Sequence, residues 1–201
     1  SQMALQVAGD HLFPLAVMVA ITCLVFGMGM PSGPAYILAA LLGAPALTGL
    51  GVPLIVAHFF VFYFAEMSAL TPPVAIGCLV ASGLAKSSFL RTCLESLKIG
   101  IAGFVLPFLF LYRPALLLQG TGLELVWAFV MIAAFLLTFI IACEGFFMAR
   151  LAMPERLLFG VAAACFLLPV VWLDLVGLAL FLLLTVRHAL SMGKGSPAAS
   201  G

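Results

Sequence analysis

Eight residues, Gly-Met-Gly-Met-Pro-Ser-Gly-Pro at 27–34, limit what this chain can fold into more than any other stretch. They separate two apolar runs, residues 11–26 and 35–50. Glycine admits unwound and left-handed backbone, and proline removes a hydrogen-bond donor and stops a helix. Three glycines and two prolines in eight residues therefore break the helix and do not merely kink it. In lipid such a break persists only where protein buries it or where it lines a watery cavity. The spacing predicts a re-entrant helical hairpin over 11–50 with its tip at this break. Each arm would span about 20–24 Å, short of a hydrocarbon core of about 30 Å.

A second break, Ser68-Ala69-Leu70-Thr71-Pro72-Pro73, interrupts the next apolar run and predicts a discontinuous helix over 54–85. Paired broken helices near the bilayer midplane point to an ion or substrate site in a secondary transporter. That reading requires a membrane protein, and composition supplies one. The 201 residues are 66% hydrophobic and 7% charged, far from the quarter or so of charged residues in a soluble domain. Long apolar runs make it all-α and not a barrel. A net charge of +1 gives no case for nucleic acid. The five cysteines are scattered without metal-ligand spacing and read as small core residues.

Residues 86–98 carry the first charge cluster, Lys86, Arg91, Glu95 and Lys98, interleaved with Phe89, Leu90, Leu94 and Leu97. The pattern predicts an amphipathic interfacial helix, with a solvated loop as the plain alternative. About four spanning helices are expected after the breaks. One covers 99–118 despite Pro107, and one covers 123–147 with Trp127 as an interfacial anchor. Pro169 and the Trp172-Leu173-Asp174 step divide 157–186 into two short helices. With two crossings there, Lys86, Arg91, Lys98, Arg150, Arg156, Arg187 and Lys194 share one face, which the positive-inside rule makes cytoplasmic. The hairpin then enters and leaves from the external face. Residues 1–10 lack a basic leader region and an initiator Met, so the start reads as the middle of a longer protein. The small polar stretch 191–201 reads as a disordered tail.

Enzymatic constellations are missing from the pattern. His11, His58 and His188 form no His-Glu-x-x-His motif, and no Gly-x-Ser-x-Gly or phosphate-cradling glycine loop occurs. No cofactor is expected. Glu66 is the acid set deep in an apolar run, and an intramembrane carboxylate marks a pathway or is paired. Its partner is either His58, two turns back on nearly the same face, or a coupled cation. The alternative is a protonated, hydrogen-bonded structural Glu. Ser32, Ser68 and Thr71 place hydroxyls beside freed carbonyls. Such a hard oxygen cage suits sodium and not a transition metal. Equally, these hydroxyls can do no more than satisfy backbone groups.

The run Phe26-Gly-Met-Gly-Met-Pro31, continuing to Ala35-Tyr36-Ile37-Leu38, resembles the Gly-Met-Gly-Leu-Pro-Thr-Thr-Ala-Ala-Tyr-Ile-Leu signature of TRAP transporters (tripartite ATP-independent periplasmic transporters). Ala44-Pro45-Ala46-Leu47, Gly51-Val52-Pro53, His58 to Phe64, Thr71-Pro72-Pro73-Val74-Ala75, Pro107 to Phe110 and Pro114 to Leu117 extend the likeness over about residues 1–118. It is to the C-terminal half of the large membrane subunit, in its fused-permease form. Residues 119–190 resemble the less defined C-terminal helical extension. The resemblance implies sodium-driven uptake of an organic acid across the cell inner membrane by an elevator mechanism. It implies as partners a periplasmic substrate-binding protein, the N-terminal permease half and the small membrane subunit, so the chain reads as a fragment or a half. By position, Gly29, Met30, Pro31 and Ser32 at the tip and Ser68, Leu70, Thr71 and Pro72 at the break are the implied ion-binding residues. Two departures matter: Ser32-Gly33-Pro34 stands where the family has Thr-Thr-Ala, and Ala69 stands where an acid is common, with Glu66 one turn earlier. The rival readings are a non-transporting helical scaffold or remnant, and an ion channel without sodium coupling.

Overall fold

The run of Ala, Val and Leu before the first glycines folds as α1, Leu12–Gly27, and its return arm as α2, Ser32–Thr48. The computed structural model describes residues 11–193. Pro31 caps α2 in extended conformation and Pro34 falls in its first turn, where the missing N–H costs no helical bond. The turn between the arms is closed by Gly29 at φ +78°, a left-handed position that glycine adopts without strain. α2 runs from Ser32 through Pro45 to Thr48, starting three residues nearer the tip and ending one residue later than an arm over 35–47, the part of the 35–50 apolar run expected to be helical.

α3 (Leu54–Met67) tightens into a 3₁₀ turn at Ser68–Leu70, and the chain leaves helical geometry over 71–75 before α4 (Ile76–Ala85). Pro72–Pro73 is cis, and Ala75 starts α4 from a left-handed φ of 38°. The discontinuous helix is thus present where the Thr-Pro-Pro sequence requires a break. α1, α2 and α3 bury one another through small and branched residues, among them Ala16, Val19, Ala39, Ala44, Val56, Phe60 and Val61. Gly43 lets them approach: a Cβ there would lie 2.8 Å from Val19 Cγ1 and 2.9 Å from Val61 Cγ2. Phe60, Phe64 and Phe108 close the core with tilted and edge-on ring contacts.

α5 (Phe89–Ile99) and α6 (Ile101–Tyr112) meet at Gly100 with a 43° bend, and a 3₁₀ turn, Pro114–Leu117, follows. The single spanning helix expected over 99–118 is therefore not formed. Its division from the charged helix falls at Gly100, beside the expected 98/99 boundary, but α6 stops at Tyr112 after 12 residues. Leu70, Ala75, Cys78, Phe89 and Cys93 make a separate small apolar cluster between α4, α5 and the break.

The chain divides after Gln119 into two compact units. The second opens with α7, Gly122–Glu144, where Glu124 accepts the Thr121 N–H at 2.9 Å and caps the helix. A two-residue antiparallel ladder pairs β1 (Phe146–Phe147) with β2 (Ala149–Arg150). α8 (Met153–Cys165) and α9 (Val171–Gly193) follow. The helical break in 157–186 thus falls at 166–170, around Pro169. Trp172 and Asp174 lie inside the first turn of α9, where an acid suits the helix N-terminus. α9 is long and not short, and it runs three residues into the expected tail. The remainder of that tail, and the polar lead-in at 1–10, lie outside the described residues.

The fold is that of an all-α membrane protein. By length and composition α7 and α9 are able to cross a membrane, and the bent α5–α6 pair makes a third span if counted as one. Among the described residues that is fewer than the four or so expected, because α6 and α8 stop at 12 and 13 residues. Trp127, expected as an interfacial anchor, donates its Nε1–H to Asp174 Oδ2 at 3.3 Å, and Asp174 is only 1% exposed.

Candidate functional site

The tip and the break meet inside the first unit. α1 delivers Gly27 against the end of α3 so closely that a Cβ on it would lie 2.6 Å from Ser68 Oγ and 2.7 Å from the Ala65 carbonyl oxygen. One step further along the tip, a Cβ at Gly29 would lie 3.6 Å from Val74 Cγ1 beyond the break. Across the same junction Ser32 Oγ donates to Glu66 Oε2 at 2.9 Å. The hairpin tip and the end of α3 with its break, about forty residues apart, thus approach at three points.

Glu66 sits in the last turn of α3 and Ser32 opens α2. An acid opposite a helix N-terminus is favoured by the uncapped N–H groups and the helix dipole. Glu66 therefore pairs with Ser32 and not with His58. The other carboxylate oxygen, Oε1, is buried and has no hydrogen-bond partner among the described residues. Leaving a buried acceptor unpaired costs about 1–3 kcal/mol.

The break hydroxyls are engaged locally. Ser68 Oγ donates to the Ala65 carbonyl at 2.6 Å, and Thr71 Oγ1 donates to the Met67 carbonyl at 2.9 Å. Each hydroxyl has one proton to donate and two lone pairs. Satisfying the α3 carbonyls in this way leaves both oxygens able to accept or to ligate a cation. Among the described residues the carbonyls of Pro72, Pro73 and Val74 accept no hydrogen bond. Of the other sequence candidates, Leu70 belongs to the α4–α5 cluster and Met30 packs on the hairpin core. Pro31 serves as the cap of α2. So Ser32 meets Glu66, Gly27 meets Ser68 and Gly29 approaches Val74, with Thr71 and Pro72 on the break between Ser68 and Val74. Leu70, Met30 and Pro31 shape the site through packing and capping.

His58 finds its partner elsewhere: Nδ1 shares a 2.9 Å hydrogen bond with Tyr36 OH, and the Tyr36 ring also stands edge-on to Phe62 at 5.6 Å. The pairing of Tyr36 with His58 escapes sequence reasoning, yet a signal for it exists. Ser32 and Tyr36 are four apart on one helix, and His58, Phe62 and Glu66 are four apart on the next. Antiparallel helices in that register bring Ser32 to Glu66 and Tyr36 to Phe62 and His58. Open grooves of about 390 and 480 Å³ flank the Tyr36–His58 pair, walled by Ile37, Leu41, Leu54, Phe59 and Phe62. Walls of that kind suit lipid or a neighbouring helix better than a carboxylate substrate.

The family model of the DctM component of tripartite ATP-independent periplasmic transporters matches residues 1–125. The chain belongs to this family. No curated protein and no solved structure matches it. The DctM match covers the hairpin, the break and the bent α5–α6 pair, and it ends in the first turn of α7. A DctM component is part of a transporter and not an enzyme, so the tip–break junction belongs to a permease.

Proposed function

We propose that this chain contributes a sodium site and its hairpin gate to a multi-pass inner-membrane permease that takes up an organic acid. The acid is handed over by a periplasmic binding protein, and the permease is completed by an N-terminal half and a small membrane subunit. The observation that carries the reading is the tip–break junction. Ser32 holds one oxygen of Glu66 while the other, buried, has no partner among the described residues. A cation there gains a carboxylate oxygen, the hydroxyls of Ser32, Ser68 and Thr71, and the unpaired Pro72 carbonyl. That is a hard, oxygen-only set of the kind sodium takes. Broken helices supply such ligands in secondary transporters, where unwound carbonyls coordinate the coupling ion. Because the donors come from both the tip and the break, an ion stabilises the closed hairpin over the open one, which is the requirement for coupling. Movement of the loaded hairpin with its helices across the membrane is the elevator step of this proposal.

The test is sodium-dependent uptake by the complete transporter in liposomes. Ser32→Ala and Thr71→Ala each remove one oxygen, a loss of about 1–3 kcal/mol, or roughly five- to 150-fold in sodium affinity. Glu66→Gln abolishes the sodium response if the carboxylate is a ligand, and lowers only stability if it is structural. Wild-type sodium dependence in all three, with normal folding, refutes the site.

A further inference from the structure

α5 presents two different faces. Its inner face, Phe89 and Cys93, packs on Leu70, Ala75 and Cys78 and so forms one wall of the break. Its outer side carries Leu90 and Leu94, 65% and 66% exposed, one turn apart. Beside that leucine stripe lie Arg91 and Lys98, seven residues and so about 10 Å apart on one face, with Lys86 at the preceding turn. All three cations are exposed, and none forms an ion pair among the described residues. With Glu95 the local charge is 3 − 1 = +2.

A solvated loop needs no exposed leucines between its charges, and a helix lying against a neutral bilayer needs no unpaired cations. Both together fit a surface that offers acyl chains and negative phosphates side by side. We propose that α5 is a docking element for anionic phospholipid: Leu90 and Leu94 enter the acyl boundary, while Lys86, Arg91 and Lys98 engage phosphodiester headgroups. Seated in this way, the bilayer braces α5 from outside and, through Phe89 and Cys93, braces the break from behind. The proposal does not depend on the sodium reading.

Amide hydrogen exchange of peptides covering 86–99 tests it on the full chain in nanodiscs of phosphatidylcholine, with and without a third of phosphatidylglycerol. Each cation near an anionic surface contributes about five-fold in affinity. Exchange in α5 should slow several-fold to about 100-fold when phosphatidylglycerol is present, and the effect should shrink in 0.5 M salt, where the screening length is only a few ångströms. Peptides from α7 should not respond. The triple variant Lys86→Gln/Arg91→Gln/Lys98→Gln should lose the response, and Glu95→Gln, which raises the charge to +3, should strengthen it. Equal protection in both lipid mixtures would overturn the proposal, leaving a plain apolar seat. So would protection that appears only when another transporter subunit is added, since α5 would then be a protein interface.

Discussion

Replacing Gly27 by Ala tests the tip–break junction directly. Gly27 ends α1 with an ordinary helical backbone, so added strain comes from contact and not from its φ. The new methyl would stand 2.6 Å from Ser68 Oγ, 2.7 Å from the Ala65 carbonyl and 2.9 Å from Ser68 Cβ. Ordinary carbon–oxygen contact begins at roughly 3.3 Å, so tip and break must part by roughly 0.6–0.7 Å. Ser68 cannot simply turn aside, because its hydroxyl is tied to the same Ala65 carbonyl. Overpacking of this kind costs about 1–3 kcal/mol, against which alanine recovers at most about 1 kcal/mol of helix propensity. The net expectation is a loss of about 1–2 kcal/mol, or a melting temperature lower by roughly 2–8 °C. Thermal unfolding of the purified chain in mild detergent reads it. Gly33→Ala, with nothing within 4 Å of its Cβ, is the matched control and should be neutral or slightly stabilising. Adding Ser68→Ala to Gly27→Ala should restore only part of the loss, since the backbone carbonyl remains in the way. If Gly27→Ala melts with the Gly33→Ala control, tip and break are not in contact and the site built on them fails.

Gly43→Ala should lower stability by about 1–3 kcal/mol in the same assay, and Val19→Ala should partly rescue it, because the methyl meets side chains and not backbone. Arg156 donates to the Ala142 and Cys143 carbonyls at 3.1 and 2.8 Å, so Arg156→Met should cost about 2 kcal/mol and raise amide exchange in the last turn of α7. Trp127→Phe removes a donor from the buried Asp174 carboxylate and should cost about 1–3 kcal/mol, with Trp127→Phe/Asp174→Asn less damaging than the sum of the single changes. Tyr36→Phe loses a half-buried bond to His58 and should cost about 1 kcal/mol, measured by denaturant unfolding in detergent.

Local chemistry was readable from the residues. The glycines and prolines of 27–34 marked the hairpin break and Thr71-Pro72-Pro73 the interruption after α3, because glycine and proline act on their own backbone, although α2 starts at Ser32 and not at Ala35 since Pro34 is tolerated in a first helical turn. Pro169 marked the α8–α9 break for the same reason. The boundary expected between 98 and 99 falls beside Gly100, because charge gives way to apolar residues at Lys98, whereas the end of α6 at Tyr112 carries no such change in an apolar run that continues to Leu118. Side-chain partners were harder. Glu66 and His58 lie two turns apart on α3, which makes them near neighbours in sequence terms, yet each faces α2 and finds its hydrogen-bond partner there, Ser32 for Glu66 Oε2 and Tyr36 for His58. The choice between them depends on the relative register of two helices, which a pattern within one helix does not encode. Asp174 reads in sequence as part of the step that divides 157–186, whereas its bond with Trp127 lies 47 residues away in the chain.

The apolar packing around the junction is divided. One cluster joins α1, α2, α3 and α6, and a separate one joins α4, α5 and the break. Ser32–Glu66 ties α2 to α3 at the edge of the first, and between the two run the approach of Gly29 to Val74 and five residues of non-helical chain. In mechanical terms this is a seam between two plates, fastened by few bonds and strung on a short hinge. Parting it leaves both plates packed, because no large side chain has to leave a core. Glu66, at the edge of the first plate beside this seam, therefore meets solvent by a small rotation that leaves its bond to Ser32 in place. The same group inside either plate would be released only by unfolding.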